Sequence, residues 1–302
     1  MVEKIARSLD YPCAKRLPPN LVWLGKHLVA HGELELPETI ERKLATISVS
    51  TLKRLLPPGQ RVAERLAHRK GQPKGSYAQR QAIPIRRIAW QESMPGHLEI
   101  DLVHHCGASP SGQYVHTLQA TDVATGWSEW VAILGRSYRV IQDGFQRIEQ
   151  RLPFSILEVP PDNSSEFLND LLVCFWRERA TPVDLSRSGA YAKNDNRFVE
   201  ENNFSLVRAY LGYDRLDTVA HTHLINQLYD QLWLYHNFFQ PVMRLKEKHF
   251  EDGQCKRVYD PALPPLDRLL RTKILAPHQQ AYLLALRHQS HPTAPTDPWL
   301  DR

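Results

Sequence analysis

The sequence of 302 residues predicts an α/β fold built on a mixed sheet. Three strand patterns follow one another between His97 and Leu134. Helix and strand patterns then alternate as far as Leu185, and long helical stretches come after them. The order β-β-β-α-β-α-β, then helices, predicts five strands, three antiparallel followed by two parallel, with helices on both faces.

Each element has its own signal. His97-Leu98-Glu99-Ile100-Asp101-Leu102-Val103 alternates with period two and reads as the first strand. Tyr114 to Asp122 and Trp127 to Leu134 read as the next two, joined by a hairpin turn at Ala124-Thr125-Gly126. Tyr138 to Arg151 is helical, with Val140, Ile141, Phe145 and Ile148 as its apolar stripe. Ser155 to Val159 is a short apolar strand ending at Pro160-Pro161, Ser165 to Arg179 a helix, and Pro182 to Leu185 the last strand. Asn196 to Leu211 and Thr218 to Phe239 read as long helices, the second with Leu224, Leu228, Leu232, Tyr235 and Phe239 as a core-facing stripe. One more helical region, Leu266 to His288, precedes a Pro-rich tail from Pro292 that is expected to lack structure.

Four regions result: a helical one over 1–59, a basic linker over 60–90, the sheet-bearing core over 91–245 and a C-terminal region over 246–302. In the first, one helix is expected from Asn20 to His31. Pro37-Glu38 opens another through Ala45, and Ser48 or Ser50 caps a third, Thr51 to Leu56, which stops at Pro57-Pro58. The last pair resembles a helix-turn-helix, with Lys53 and Arg54 as candidate DNA contacts; a helical hairpin that never meets DNA fits the pattern equally well. His27 and His31 stand one helical turn apart, but no further Cys or His follows at zinc-ligand spacing, so they read as ordinary helix histidines.

Composition narrows the class. An apolar fraction of 42% and a charged fraction of 24% are those of a globular protein. No apolar run approaches a membrane span, and the N-terminus lacks a secretory core, so a cytoplasmic protein with no membrane partner is expected. Four widely spaced cysteines make no disulfide framework. The net charge is only +5, yet from Arg61 to Arg87 eight basic residues face Glu64 alone, a local charge of +7. Arg69, Lys70, Lys74, Arg86 and Arg87 lie in this strap among Gly71, Pro73, Gly75 and Pro84. It suits a phosphate backbone, or equally a solvated linker.

Three acids stand out by position. Asp101 sits mid-strand between Ile100 and Leu102, where an ionised carboxylate is costly unless paired or bound to a cation. Asp162 directly follows the fourth strand, where ligands gather in α/β sheets. Glu200 falls about one turn into a helix that Asn194 or Asn196 can cap. If the first and fourth strands are neighbours, Asp101 and Asp162 converge. Three carboxylates without Cys or His favour hard cations, Mg²⁺ or Mn²⁺.

These residues resemble a family, the integrase-type DDE transposases of bacterial insertion sequences, related to retroviral integrases. The matching words are His97-Leu98-Glu99-Ile100-Asp101-Leu102-Val103-His104, Thr121-Asp122-Val123-Ala124-Thr125-Gly126-Trp127, Asp162-Asn163-x-x-Glu166-Phe167 and Lys193-Asn194-Asp195-Asn196-x-Phe198-Val199-Glu200. Val207-Arg208-x-Tyr210-x-Gly212-Tyr213-Asp214-Arg215 and Tyr235-His236-Asn237-Phe238-Phe239-Gln240-Pro241 continue the match, which covers roughly residues 90 to 250. Ser164 departs from it where the family carries Gly, and Gly189-Ala190-Tyr191 where it carries Arg-Pro-Tyr.

The resemblance implies an RNase H-like fold, with Asp101, Asp162 and Glu200 as catalytic metal-binding acids holding two Mg²⁺ or Mn²⁺ ions. It implies double-stranded DNA as substrate, cleavage and strand transfer at element ends, a homo-oligomer in the synaptic complex and a location at the bacterial nucleoid. Sixty residues lie between the first two acids and 37 between the last two, compatible with the family. Lys193, Arg187 and Arg197 are candidates for gripping phosphates beside the site, or solvated charges. Two alternatives stay open: a DNA-binding protein that keeps the fold without chemistry, and a nuclease that cuts but does not join.

Overall fold

The hairpin Thr121 to Ser128 shows how local chemistry builds the sheet. Asp122 is fully buried at the end of a strand, and its carboxylate accepts from Gly96 N at 2.8 Å, Thr125 N at 2.8 Å and Thr125 Oγ1 at 2.6 Å. Gly126 completes the turn at φ 80°, a conformation that strains any other residue. Three strands follow from this pairing: β1 (Leu98–His104), β2 (Val115–Asp122) and β3 (Ser128–Leu134), antiparallel in the order β1-β2-β3. Their register pairs Asp101 with Gln119 and Gln119 with Trp130. The computed structural model describes residues 1–56, 93–159, 184–185, 202–251 and 254–292.

Period-two alternation divides the two sides of the sheet. One side carries Leu98, Ile100, Leu102, Leu118, Ala120, Val131 and Ile133, all buried against Ile141, Phe145 and Ile148 of helix α5 (Tyr138–Arg151). Gly144 lets the helix approach: a Cβ there would lie 3.1 Å from Leu118 Cδ2. The other side carries Glu99, Thr117, Gln119, Thr121 and Ser128, which are also buried. Helix α6 covers part of it, Asn203–Arg208 with π-type bonding and then Ala209–Leu211; further cover comes from the first half of helix α7 (Val219–Phe238). On α7, Asn226 gives and takes 2.9 Å bonds with Ala132 N and O, satisfying the backbone of β3 with a side-chain amide. The structure therefore shows a mixed α/β fold with a three-stranded antiparallel sheet and flanking helices.

Two short strands, β4 (Glu158–Val159) and β5 (Asp184–Leu185), form a separate parallel pair. A single parallel bridge, His97 to Glu158, links the start of β1 to β4. Gly96 makes the junction: its N–H donates to Asp122, and its carbonyl accepts from Leu157 N at 2.9 Å and Glu158 N at 3.1 Å.

The chain divides into two compact units, Arg65–Asp230 with the sheet, and Met1–Glu64 with Gln231–Arg302. The second contains α1 (Val2–Ser8), α2 (Leu21–Ala30), α3 (Glu38–Thr46) and α4 (Val49–Leu55). Later in the chain it adds the antiparallel hairpin of β6 (Leu245–Glu251) and β7 (Gln254–Tyr259), then α8 (Pro265–Thr272) and α9 (Pro277–Gln289). Ser48 rather than Ser50 caps α4, accepting from Thr51 N at 3.1 Å. Asn20 Nδ2 donates to Arg16 O and to Ala262 O, both at 2.9 Å, which ties the N-terminal helices to the C-terminal segment. His27 and His31 do the same through Nε2, at 2.9 Å from Ser290 O and 3.2 Å from His288 O.

Several expectations change. The first 37 residues hold a second helix, α1, and the final region holds the β6–β7 hairpin and two helices rather than one helical stretch. The hairpin had a signal: Asp252-Gly253 between alternating residues is a strong turn dipeptide. Among the described residues no helix is long and apolar enough to cross a membrane.

Candidate active site

Asp101 lies half-buried at the middle of β1, on the polar side of the sheet. Its Oδ1 accepts from the backbone N–H of Leu102 at 2.8 Å, and its Oδ2 accepts from the side-chain amide of Asn203 on α6. The neighbouring Asn202 donates to Thr121 Oγ1 and Ser128 Oγ, both at 3.0 Å, and so anchors the start of α6 across β2 and β3. Two amide oxygens, Asn203 Oδ1 and Gln119 Oε1, are buried here without a hydrogen-bond partner among the described residues. Gln119 is the register partner of Asp101 and Asn203 donates to its Oδ2, so both unpartnered oxygens belong to residues beside the carboxylate. An arrangement of acceptors in excess of donors is what a hard cation relieves.

Beyond Asp101 the polar layer continues towards the end of β1. His105 Nε2 lies 2.8 Å from Thr117 Oγ1, which lies 2.5 Å from the hydroxyl of the fully buried Tyr229. Arg208 donates to the carbonyls of His104 at 2.8 Å and Gly212 at 3.0 Å, and stacks over Tyr213. Arg215 donates to the carbonyls of Ser109 at 2.9 Å, Ser111 at 3.0 Å and Gln113 at 3.2 Å, gathering the loop between β1 and β2. Both arginines of the Val207 to Arg215 word thus hold backbone. Asp122 of the Thr121 to Trp127 word closes the hairpin.

The buried histidines have a consequence for stability. Burial, with the Arg208 charge behind it, lowers His105 from 6.5 to about 3; burial and His104 lower His116 to about 4. Unfolded, both bind a proton near their ordinary value, so below that value the unfolded chain holds more protons than the folded one. Their contribution is complete above about pH 6.5 and is lost as the pH falls towards the folded values. Urea midpoints should fall between about pH 7 and about pH 5, a window in which carboxylates change little. His105→Gln should flatten the fall; an equal fall in that variant would show that His105 is not its source.

Of the other anticipated site residues, Lys53 and Arg54 are exposed on α4. Asp162, Glu200, Arg69, Lys70, Lys74, Arg86, Arg87, Arg187, Lys193 and Arg197 lie outside the described residues. Among the described residues no group of three His, Cys, Asp or Glu side chains is placed to hold a metal ion. Asn202, Asn203, Gln119 and His105 were not singled out by the sequence, and Arg208 and Arg215 entered only as letters of a matching word. The doubled amide directly after Glu200-Glu201 was the available signal for the first two.

No family model matches the chain. A curated relative does: the uncharacterized protein y4rM of Sinorhizobium fredii is 37% identical over 260 residues, covering 86% of this chain and 73% of that protein. The chain belongs to the y4rM family. The shared region is long enough to include the sheet, α5 and α6 whichever end is trimmed. The y4rM name states no activity, so the chemistry of this family member is read from its residues.

Proposed function

We propose that this chain is an integrase-type DDE transposase, cleaving and joining DNA strands at the ends of a mobile element, with Asp101, Asp162 and Glu200 holding two Mg²⁺ or Mn²⁺ ions. One juxtaposition carries the reading. The parallel bridge between His97 and Glu158 sets β4 beside β1, whose Asp101 stands four positions past the bridge; Asp162 follows β4 in the sequence, where the resemblance puts the second acid. Glu200 precedes by three positions in the sequence Asn203, whose side-chain amide bonds to Asp101. The β1–β4 bridge and the parallel β4–β5 pair support the sheet order β3-β2-β1-β4-β5 of a five-stranded RNase H-like core over 91–245.

The residues present fit the metal. Asp101, Asn203 Oδ1 and Gln119 Oε1 offer hard oxygen acceptors, two of them buried and unpartnered among the described residues. Divalent ions bound there would activate the attacking oxygen and stabilise the leaving oxygen of an in-line displacement at phosphorus. The protein's own contribution is orientation. Leu102 N–H and the Asn203 amide fix both oxygens of Asp101, so the carboxylate needs no reorganisation when substrate arrives. Lys53 and Arg54 on α4, Arg69, Lys70, Lys74, Arg86 and Arg87 in the basic strap, and Arg187, Lys193 and Arg197 would grip DNA phosphates.

Incubating the purified chain with labelled element ends and Mg²⁺ tests the proposal. A joined strand is the expected product. Cleavage without joining would indicate a nuclease, and shifted but uncut DNA a binding protein without chemistry. Asp162→Asn should abolish product while leaving the DNA shift largely intact.

A further inference from the structure

Helix α9 (Pro277–Gln289) packs inward through Leu283, which is buried, and its opposite side faces outward. Tyr282 is 66% exposed and Leu284 40%, with Ala281 and Ala285 exposed between them. No exposed residue of this helix carries a fixed charge, in a chain of which 24% of the residues are charged. Its single charged residue, Arg287, donates to Asp267 of α8 at 2.6 Å.

Apolar side chains scattered singly over a surface need no explanation, but a helix apolar on both sides is one that neighbours cover on both. The outward strip is also preformed. Gln279 Oε1 accepts from Ala276 N at 3.0 Å at one end, and at the other His31 and His27 hold the carbonyls of His288 and Ser290. Contact with the strip therefore costs little ordering of the helix itself.

The residue order on the strip points to its occupant. At about 100° per residue from Leu283, Ala281 and Ala285 fall about 20° to either side of the outward direction. His278 and His288 fall about 40° to either side, and Tyr282 and Leu284 about 80°. A two-fold axis along the outward line through Leu283 sets each member of a pair against the other member on a second helix. Any helix has this geometry; here it matches kind with kind. Ala281 meets Ala285, Tyr282 meets Leu284 and His278 meets His288, and no fixed charge is opposed by its like.

We propose that the outward face of α9 is a contact between two copies of this chain, the two helices lying antiparallel about Leu283. A helix of 13 residues is roughly 20 Å long and about 10 Å wide, which offers less than the ~800 Å² per partner of a standard interface. The dimer is accordingly weak and reversible. It does not depend on the chemistry proposed for the acids.

Sedimentation velocity of the full chain, from micromolar to sub-millimolar concentrations, should show a monomer–dimer equilibrium. Ala281→Glu and Ala285→Lys each place unpaired charges in the seam, and each should weaken association about tenfold or more. Both positions are exposed, and Glu and Lys are good helix formers, so the fold should be kept. Mixing the two variants is the sharper test. The new acid of one copy then faces the new base of the other, and a mixed dimer should form where neither variant pairs with itself. A parent chain monomeric throughout, a dimer that both substitutions leave intact, or variants that fail to pair on mixing would overturn the proposal. A monomer that instead binds phosphatidylcholine vesicles would overturn it too, and would assign the strip to a lipid surface.

Discussion

On the proposed two-metal chemistry, Asp101→Asn is expected to lower strand cleavage and joining by about three orders of magnitude, the loss of several kcal/mol of transition-state stabilisation. The fold should survive. Asn keeps the shape, can still accept from Leu102 N–H, and removes a charge from a half-buried position on β1. The same size of loss is expected from Asp162→Asn and Glu200→Gln. Combining any two should cost little more than one, because groups that act as a unit fail together. Additive losses would show three acids working separately. An active Asp101→Asn enzyme would remove the carboxylate from the mechanism.

Asp122→Ala should act on stability instead, costing about 3–5 kcal/mol. The residue is fully buried, and its removal strands the Gly96 N–H, the Thr125 N–H and the Thr125 hydroxyl, each at about 1–3 kcal/mol if left unpaired. The damage would spread, because Gly96 also carries the junction with Leu157 and Glu158. A Cβ at Gly96 would meet Ser155 O at 2.6 Å, so only glycine fits at this junction. Asp122→Asn should cost less, since its carbonyl retains one acceptor. Urea unfolding followed by circular dichroism measures both; an Asp122→Ala midpoint near that of the parent would mean that the turn is held by something else.

What the sequence showed of the fold follows from which forces leave periodic marks. Alternation from Leu98 to Val103 exposed β1, and the stripe of Ile141, Phe145 and Ile148 bounded α5 at Tyr138 and Arg151 as read. Asp101 was visible because Ile100 and Leu102 flank it. The polar layer was not. Thr117, Gln119 and Thr121 alternate with Leu118 and Ala120 whether the polar side meets water or another polar surface; here it meets Asn202 and Tyr229. Such contacts join residues 81 and 112 positions apart and obey no local period. The β6–β7 hairpin was hidden by its charged strand Leu245–Glu251, whose alternation of Lys, Glu and His carries little hydrophobic contrast.

The most direct test of the proposed acidic cluster is metal-directed cleavage of the protein itself. Fe²⁺ takes the place of Mg²⁺ at oxygen-rich sites, and with ascorbate and peroxide it cuts the backbone only close to where it is bound. Mass spectrometry of the fragments should find three clusters of cuts, around Asp101, Asp162 and Glu200, all suppressed by excess Mg²⁺ and all lost in Asp101→Asn. Cuts near Asp101 alone, or a pattern unchanged in Asp101→Asn, would contradict a shared metal site.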